Sequence, residues 1–174
     1  MEAIHLILPT EGNLDQVWDY RRECLDAGSS MDGCGPMRFD DPNEWLDHVI
    51  RCTDPATLPE GRVLATQFLA VRESDGGLVG MIQVRHYFNK YLEKYAGHIG
   101  YSVRPSERRK GYAKEMLRKA LPYCGRIGLT RILITCIAGN EGSRRTILSN
   151  GGVYESTVHE PEEDIDLERY WINL

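Results

Sequence analysis

The sequence has no apolar stretch of transmembrane length, and Met1–Pro9 contains no basic leader of the kind that begins a signal peptide. Its five cysteines form no C-x-x-C pair, and its five histidines show no metal-ligand spacing. There is also no internal repeat and no low-complexity tract. These absences argue against a membrane protein, a disulfide framework and a metal site, and they predict a cytoplasmic protein with small buried thiols.

Non-specific binders of nucleic acids and membranes are usually basic, whereas this chain of 174 residues has a net charge of −5. The charge is uneven, because the segment Arg104–Lys119 holds seven basic residues against two acids. Such an island on an acidic protein favours a polyanionic ligand bound at one place; a solvated helix face is the alternative. The length and the recurrence of apolar residues along the chain predict a single domain, 1–174.

Apolar periodicity and turn residues predict a mixed α/β fold with largely antiparallel strands. The clearest helix is Gly111–Cys124, and Pro122 is expected to shorten or bend its last turn. Other helices are predicted to begin near Asn13, at Asp41 and near Gly142, with a Gly-rich loop at Ala27–Asp40. The buried side of the first helix is expected to comprise Leu14, Val17, Trp18 and Leu25. Strands are predicted at Ile4–Leu8, Gln67–Glu73, Leu78–His86, His98–Arg104, Arg131–Ala138, Val153–Val158 and Leu167–Ile172.

The junction between the strand His98–Arg104 and the clearest helix contains Arg108-x-x-Gly111-x-Ala113. The first-turn N–H groups of a helix lack intrahelical partners and lie at the positive end of its dipole, so they form an anion site. A glycine there lets the main chain approach phosphates closely. Neither G-x-x-x-x-G-K-[ST] nor G-x-G-x-x-G is present, which argues against a P-loop NTPase and a Rossmann site. The alternative is a basic helix end that binds nothing.

Two motifs together carry a family resemblance. The first is Tyr101-Ser102-Val103-Arg104-Pro105 followed by R-x-x-G-x-A and an amphipathic helix; the second is Asn140, then Ser143, then Gly151-Gly152. In this order the sequence resembles the GNAT superfamily of acyl-CoA N-acyltransferases, most specifically over residues 98–152. The resemblance implies a GNAT-type sandwich with a largely antiparallel central sheet of about seven strands, flanked by helices.

The same resemblance implies an acetyl-CoA site within residues 98–152, with residues 1–65 on the acceptor side. Backbone groups of Ser102 and Val103 would pair with the pantetheine arm like an added strand. Asn140 would bond the pantetheine through its side-chain amide, although Asn140 and Ser143 also suit helix caps, and for Ser143 the cap is favoured. The pyrophosphate would be held by the loop and the residue after it, which comprise Arg108, Arg109, Lys110, Gly111, Tyr112, Ala113 and Lys114.

Acyl transfer to an amine requires a neutral amine, a donor for the oxyanion and a proton for the leaving thiolate. The family often has a Glu or His base on the strand before the phosphate loop, and His98 has that place here; a polar residue at a strand start is the alternative. The oxyanion donor would be a main-chain N–H near Val103. Ile147 replaces the family's usual acid, a tyrosine seven residues after the Asn, which leaves water or one of Tyr101, Tyr112 and Tyr154.

The sequence therefore predicts an N-acetyltransferase that moves an acetyl group from acetyl-CoA to a primary amine of a small molecule or peptide by direct attack in a ternary complex. A non-catalytic acyl-CoA sensor and a nucleotide-phosphate binding module are the alternatives. The aromatic segment His86–Tyr91 with Tyr95 either lines the acceptor pocket or, as favoured here, packs a surface helix. The acidic segment Glu160–Asp164 either attracts a cationic amine or, as favoured here, forms a solvated hairpin tip. The acceptor and the oligomeric state stay open, a homodimer included.

Overall fold

The computed structural model describes residues 2–38 and 41–174, so the end of the predicted Gly-rich loop, Phe39 and Asp40, lies outside the described residues. Short 3-10 turns are formed by Glu11–Asn13 and Pro105–Glu107, and a π-helical turn by Leu92–Ala96. Within the described residues the main elements are β1 (Ile4–Ile7), α1 (Leu14–Asp26), α2 (Pro42–Arg51), β2 (Ala65–Arg72), β3 (Leu78–Arg85), β4 (Ile99–Val103), α3 (Tyr112–Arg126), β5 (Arg131–Ile137), α4 (Glu141–Leu148), β6 (Val153–Glu160) and β7 (Ile165–Asn173).

The strands form two antiparallel sheets within the described part of the chain. One sheet has the order β1-β2-β3-β4, and the other has the order β5-β7-β6. β2 and β3 pair as the predicted hairpin, and β6 and β7 pair around the acidic segment. The predicted mixed α/β fold, with seven mainly antiparallel strands flanked by helices, is confirmed; its strands are divided between two sheets.

The two sheets meet where β4 and β5 begin. The backbone N–H of His98 donates to the carbonyl of Leu133 over 2.8 Å, which is the single backbone hydrogen bond between these two segments in the described ranges. Beyond this contact, residues 99–101 of β4 and 135–137 of β5 line opposite sides of a cavity. The strands therefore separate after their first residues, and in the part of the chain that the structure describes no strand pairs with the far edge of β4.

Helices cover both faces of the larger sheet. Alternate side chains of a strand point to opposite faces, so Phe68 packs with α3 and α4 whereas its neighbour Leu69 packs with α1 and α2. α3 buries Met116, Leu117, Ala120 and Cys124 on one face and continues to Arg126, so Pro122 does not end the helix. The placement of Trp18 on the buried side of α1 is wrong, because the buried face is the i, i+3, i+7 set Val17, Tyr20 and Cys24.

Candidate functional site

The first turn of α3 is open to the solvent side of the molecule. Gly111 is its N-cap residue with φ of +88°, a left-handed conformation that favours glycine, and no side chain caps the helix. Arg109, two residues earlier, has φ of +61°, which costs energy for a residue with a side chain. The first N–H groups of a helix of 15 residues therefore lack side-chain partners and stay available to an anion.

A groove of about 920 Å³ lies in front of this helix end. Three segments line it: the loop after α1, the segment from the end of β4 to the start of α3, and the N-terminus of α4. Of the predicted acetyl-CoA residues, Lys110 does not line the groove. Those that do are Ser102, Val103, Arg108, Arg109, Gly111, Tyr112, Ala113, Lys114, Asn140 and Ser143.

The predicted cationic side chains differ in what they bind. Lys110 pairs with Glu107 over 2.9 Å, so its ammonium group is less available to a bound anion. The guanidinium of Arg108 donates to the Val103 carbonyl over 3.1 Å and to the Ser29 hydroxyl, both neutral groups, so its charge is not neutralised. Arg109 and Lys114 form no ion pair among the described residues. The uncompensated charge at the groove therefore comes from Arg108, Arg109 and Lys114.

The free edge of β4 presents backbone groups to the same groove. Arg104 N–H donates to Val79 and Arg85 N–H donates to His98, so the even-numbered residues of this segment bond to β3. Because bonding alternates along an antiparallel strand, the backbone of Val103 and Tyr101 faces the free edge. The backbone of Ser102 faces β3 instead, so the two residues predicted to pair with pantetheine lie on opposite sides of the strand.

The side chain of Ser102 contacts α1 and the Gly-rich loop. Its hydroxyl lies 2.7 Å from the Tyr20 hydroxyl and 3.2 Å from the Cys34 sulfur. Burial raises the pKa of the Cys34 thiol to about 12, so this thiol stays protonated. Ser102 therefore connects β4 to α1 and to the Gly-rich loop.

The N-terminus of α4 is capped by Asn140 rather than by Ser143. The Oδ1 atom of Asn140 accepts from the Ser143 N–H over 3.1 Å, so Asn140 has the cap role that the sequence allowed it, and the cap role favoured for the Ser143 side chain is wrong. The Ser143 hydroxyl instead lies 2.8 Å from the Tyr101 hydroxyl. The side-chain NH₂ group of Asn140 has no partner in the described ranges and is free to donate.

A second cavity, of about 210 Å³, lies between the diverging strands β4 and β5. Its acidic side chains are Asp32, Glu160 and Glu163, and the tyrosines Tyr91 and Tyr95 line it as well. Glu160 is only 2% exposed and accepts from the Glu163 N–H over 2.7 Å, so the prediction of a solvated hairpin tip is wrong for Glu160. Burial, followed by the negative charges of Glu160 and Glu163, raises the pKa of Tyr91. The cavity therefore has an acidic wall.

The Gly-rich loop is fixed against β4 by close backbone packing. A Cβ atom at Gly33 would lie 2.0 Å from the Gly100 carbonyl oxygen, so only glycine fits, and the φ of +73° favours glycine as well. The Gln67 side chain donates to the Gly33 carbonyl over 2.8 Å. This contact brings Asp32 to the junction of the groove and the acidic cavity, a placement that the sequence did not reveal.

His98 is not brought to either cavity. It is 5% exposed, and the centroid of its ring lies 3.9 Å from the ring centroid of Phe88. Its Nδ1 accepts from the Leu133 N–H over 3.0 Å. Burial, with the positive charges of Arg85 and Arg131, lowers the pKa of His98 to about 4. Because Nδ1 is already an acceptor, the neutral ring carries its proton on Nε2. This geometry supports a structural role where the sheets meet; His98 as the base stays a prediction.

The family model for the acetyltransferase (GNAT) domain matches residues 7–153. The match covers most of the chain, and the protein therefore belongs to the GNAT acetyltransferase family and is an acetyltransferase. No curated protein matches the chain. Within the described residues no group of three or more His, Cys, Asp or Glu side chains could hold a metal ion, and no helix there is long and apolar enough to cross a membrane.

Solved acetyltransferase structures share the whole fold at low sequence identity. The ribosomal-protein-S5-alanine acetyltransferase from Vibrio fischeri is 17% identical, with a TM-score of 0.76 over 99% of this chain and 94% of the other. A spermidine N-acetyltransferase chimera from Vibrio cholerae and hSSAT is 16% identical, with a TM-score of 0.68 over 98% and 94%. The microcin C7 self-immunity acetyltransferase MccE, in complex with acetyl-CoA and AMP, is 16% identical, with a TM-score of 0.73 over 98% and 92%.

Proposed function

We propose that this protein transfers an acetyl group from acetyl-CoA to a primary amine by direct attack within a ternary complex, in one domain that spans 1–174. The observation that carries the proposal is the continuity of the groove and the acidic cavity. Four residues line both: Asp32, Tyr101, Asn140 and Ser143. A donor in the groove and an acceptor in the cavity would meet at this junction.

The groove offers a polyanionic, amide-containing donor the groups that it needs. The pyrophosphate would be held by the uncapped N–H groups of α3, with Arg108, Arg109 and Lys114 as the uncompensated cations of the groove. The free edge of β4 at Val103 and the side-chain amide of Asn140 would hydrogen-bond the pantetheine. Bound acetyl-CoA would supply the activated thioester, and the Val103 N–H would be the donor for its carbonyl oxygen.

The acidic cavity suits an amine that arrives as a cation. Among the described residues of the wall, Asp32, Glu160 and Glu163 outnumber the one basic residue, Arg85, whose pKa burial lowers to about 10. Opposite charge favours a cation in a partly desolvated site. Asp32 belongs to residues 1–65, which supports the assignment of that region to the acceptor side. The acceptor would be a small-molecule amine or the amine of a peptide.

A non-catalytic acyl-CoA sensor is the second candidate, and one observation favours it. Ile147 occupies the position of the family's usual tyrosine, is fully buried and has no proton to donate. A sensor would bind acetyl-CoA and release no thiol with any amine. We further propose a cytoplasmic location, which the five free cysteines support. The homodimer stays a prediction, for which light scattering during gel filtration is the measurement.

Thiol release from acetyl-CoA tests the function directly. The reaction would be run with a panel of monoamines, amino acids, polyamines, aminoglycosides and peptides, with a no-amine background. Release above background with one class would support the transferase and identify its acceptor class. Binding of acetyl-CoA without release on the whole panel would instead favour the sensor, and failure to bind acetyl-CoA would refute both.

A further inference from the structure

The junction of the two cavities contains a hydroxyl pair. Tyr101 extends from β4 towards α4, where its hydroxyl lies 2.8 Å from the Ser143 Oγ and 3.4 Å from the Ser143 carbonyl oxygen. Both residues line the groove and the acidic cavity. A phenolic hydroxyl therefore lies where the donor and the acceptor would meet.

The other tyrosines left open by the sequence do not share this position. Tyr112 lines the groove but not the acidic cavity, and it is buried in the core with 3% exposure. Tyr154 lines neither cavity; it is exposed on β6, with its hydroxyl 2.9 Å from that of Thr157. Tyr91 and Tyr95 line only the acidic cavity. Of the tyrosines in the described ranges, Tyr101 alone contacts both spaces.

The geometry of α4 brings the Tyr101 hydroxyl close to the turn that a tyrosine at position 147 would reach. Ser143 and Ile147 are four residues apart, so they lie on the same face of the helix in successive turns. Helical side chains lean towards the N-terminus, so a tyrosine at position 147 would direct its hydroxyl towards the turn of Ser143. Tyr101 brings a hydroxyl to that same turn from the opposite strand.

We propose that the Tyr101 hydroxyl donates a hydrogen bond to the CoA sulfur as the thioester opens, with Ser143 holding the hydroxyl in place. This inference rests on the proposed function. The amine nitrogen bonds to the acetyl carbon, the C–S bond breaks, and its electron pair goes to sulfur. The amine loses one proton to solvent and the sulfur gains one from solvent, so the products are the amide and CoA thiol. Tyr101 keeps its own proton, because a phenol is a weaker acid than a thiol.

The first test measures the thiol pKa of CoA bound to the protein, from the ultraviolet absorbance of the thiolate as the pH is raised. A hydrogen bond to sulfur stabilises the thiolate, so the thiol pKa should be about one unit lower in the wild type than in Tyr101→Phe. Tyr154→Phe is the matched control and should give the wild-type value. Equal thiol pKa values in the wild type and Tyr101→Phe would overturn the proposal.

The second test measures kcat for thiol release with the best amine of the panel. Tyr101→Phe should lower kcat at least tenfold with the KM for acetyl-CoA within about twofold. Ser143→Ala breaks the same Tyr–Ser bond but keeps the phenol, so its loss should be smaller; an equal loss would show that the bond is merely structural and would overturn the proposal. A lowered thiol pKa without turnover would refute the proposed function and support the contact, whereas turnover with no effect of Tyr101→Phe would refute only this inference.

Discussion

His98 has two competing interpretations, a catalytic base and a buried structural residue, and His98→Asn distinguishes them. An asparagine Oδ1 lies close to where the imidazole has Nδ1, so the variant keeps an acceptor for the Leu133 N–H, which donates over 3.0 Å. What the variant removes is the ionisable ring. Burial first, and then the charges of Arg85 and Arg131, lower the pKa of that ring from 6.5 to about 4.

The proton count determines the sign of the effect on stability. Above pH 6.5 His98 is neutral in the folded and in the unfolded chain, so the depressed pKa has no effect there. Between pH 6.5 and about 4 the unfolded chain binds a proton that the folded chain does not, and the free energy of unfolding falls as the pH falls. From pH 7.5 to pH 5 the loss is about 2 kcal/mol, and it approaches about 3 kcal/mol below pH 4.

Urea unfolding at pH 7.5 and pH 5.0 measures this loss in the wild type and in His98→Asn. We expect the wild type to lose about 2 kcal/mol more than the variant, because the other titrating groups are common to both chains. Equal losses of unfolding free energy in the two proteins would show that burial does not lower the pKa of His98. If a pH–rate inflection near neutrality disappears in a folded His98→Asn protein, His98 is the base and its structural interpretation fails.

The remaining predictions concern the groove, the loop and the acidic cavity. Gly111→Asp places a Cβ at φ of +88° and a negative charge at the N-terminus of α3, so calorimetry should show at least a tenfold loss of acetyl-CoA affinity. Gly33→Ala forces a Cβ to within 2.0 Å of the Gly100 carbonyl, so thermal unfolding should show a stability loss of about 2 kcal/mol or more. Glu163→Gln removes a charge from the acidic cavity and should raise the KM for a diamine more than the KM for a monoamine.

Each of these variants has a matched control on the same chain. Gly128 has φ of +90° and follows the far end of α3, so Gly128→Asp should leave acetyl-CoA affinity unchanged; equal losses would refute the pyrophosphate loop. Gly61 has a similar φ, of +74°, but a Cβ atom added there would have no neighbour within 4 Å. The stability loss of Gly61→Ala should therefore be smaller than that of Gly33→Ala. Glu162→Gln lies outside the cavity lining, and the same KM effect there would argue against a specific acceptor wall.

The parts of the site that the sequence predicted are the local ones. The helix face of α3 and the open N-terminus at Gly111 follow from spacing and from residue types next to each other in the chain. The contacts that complete the site join distant segments: Arg108 binds Ser29, which is 79 positions away, and Gly33 packs on Gly100. Periodicity contains no information about which loop packs against which strand, so these pairs could not be predicted.

Burial of charged groups was the other source of error. Glu160 follows a predicted strand and precedes further acids, which is the pattern of a solvated turn. Its burial comes from the divergence of β4 and β5, which creates a cavity that the β6–β7 turn closes. His98 is buried as well, where its backbone N–H donates to the Leu133 carbonyl and the two sheets meet; its role as the base stays a prediction.

The unpaired edge of β4 has a consequence for solubility as well. A strand with an unpaired edge is a template for another strand, and proteins usually protect such edges with charges, bulges or covering segments. The unpaired edge of β4 faces the space between the two sheets, and residues 135–137 of β5 line the other side of that space. Because the second sheet covers this edge, the arrangement that leaves room for a ligand also protects the protein against edge-to-edge aggregation.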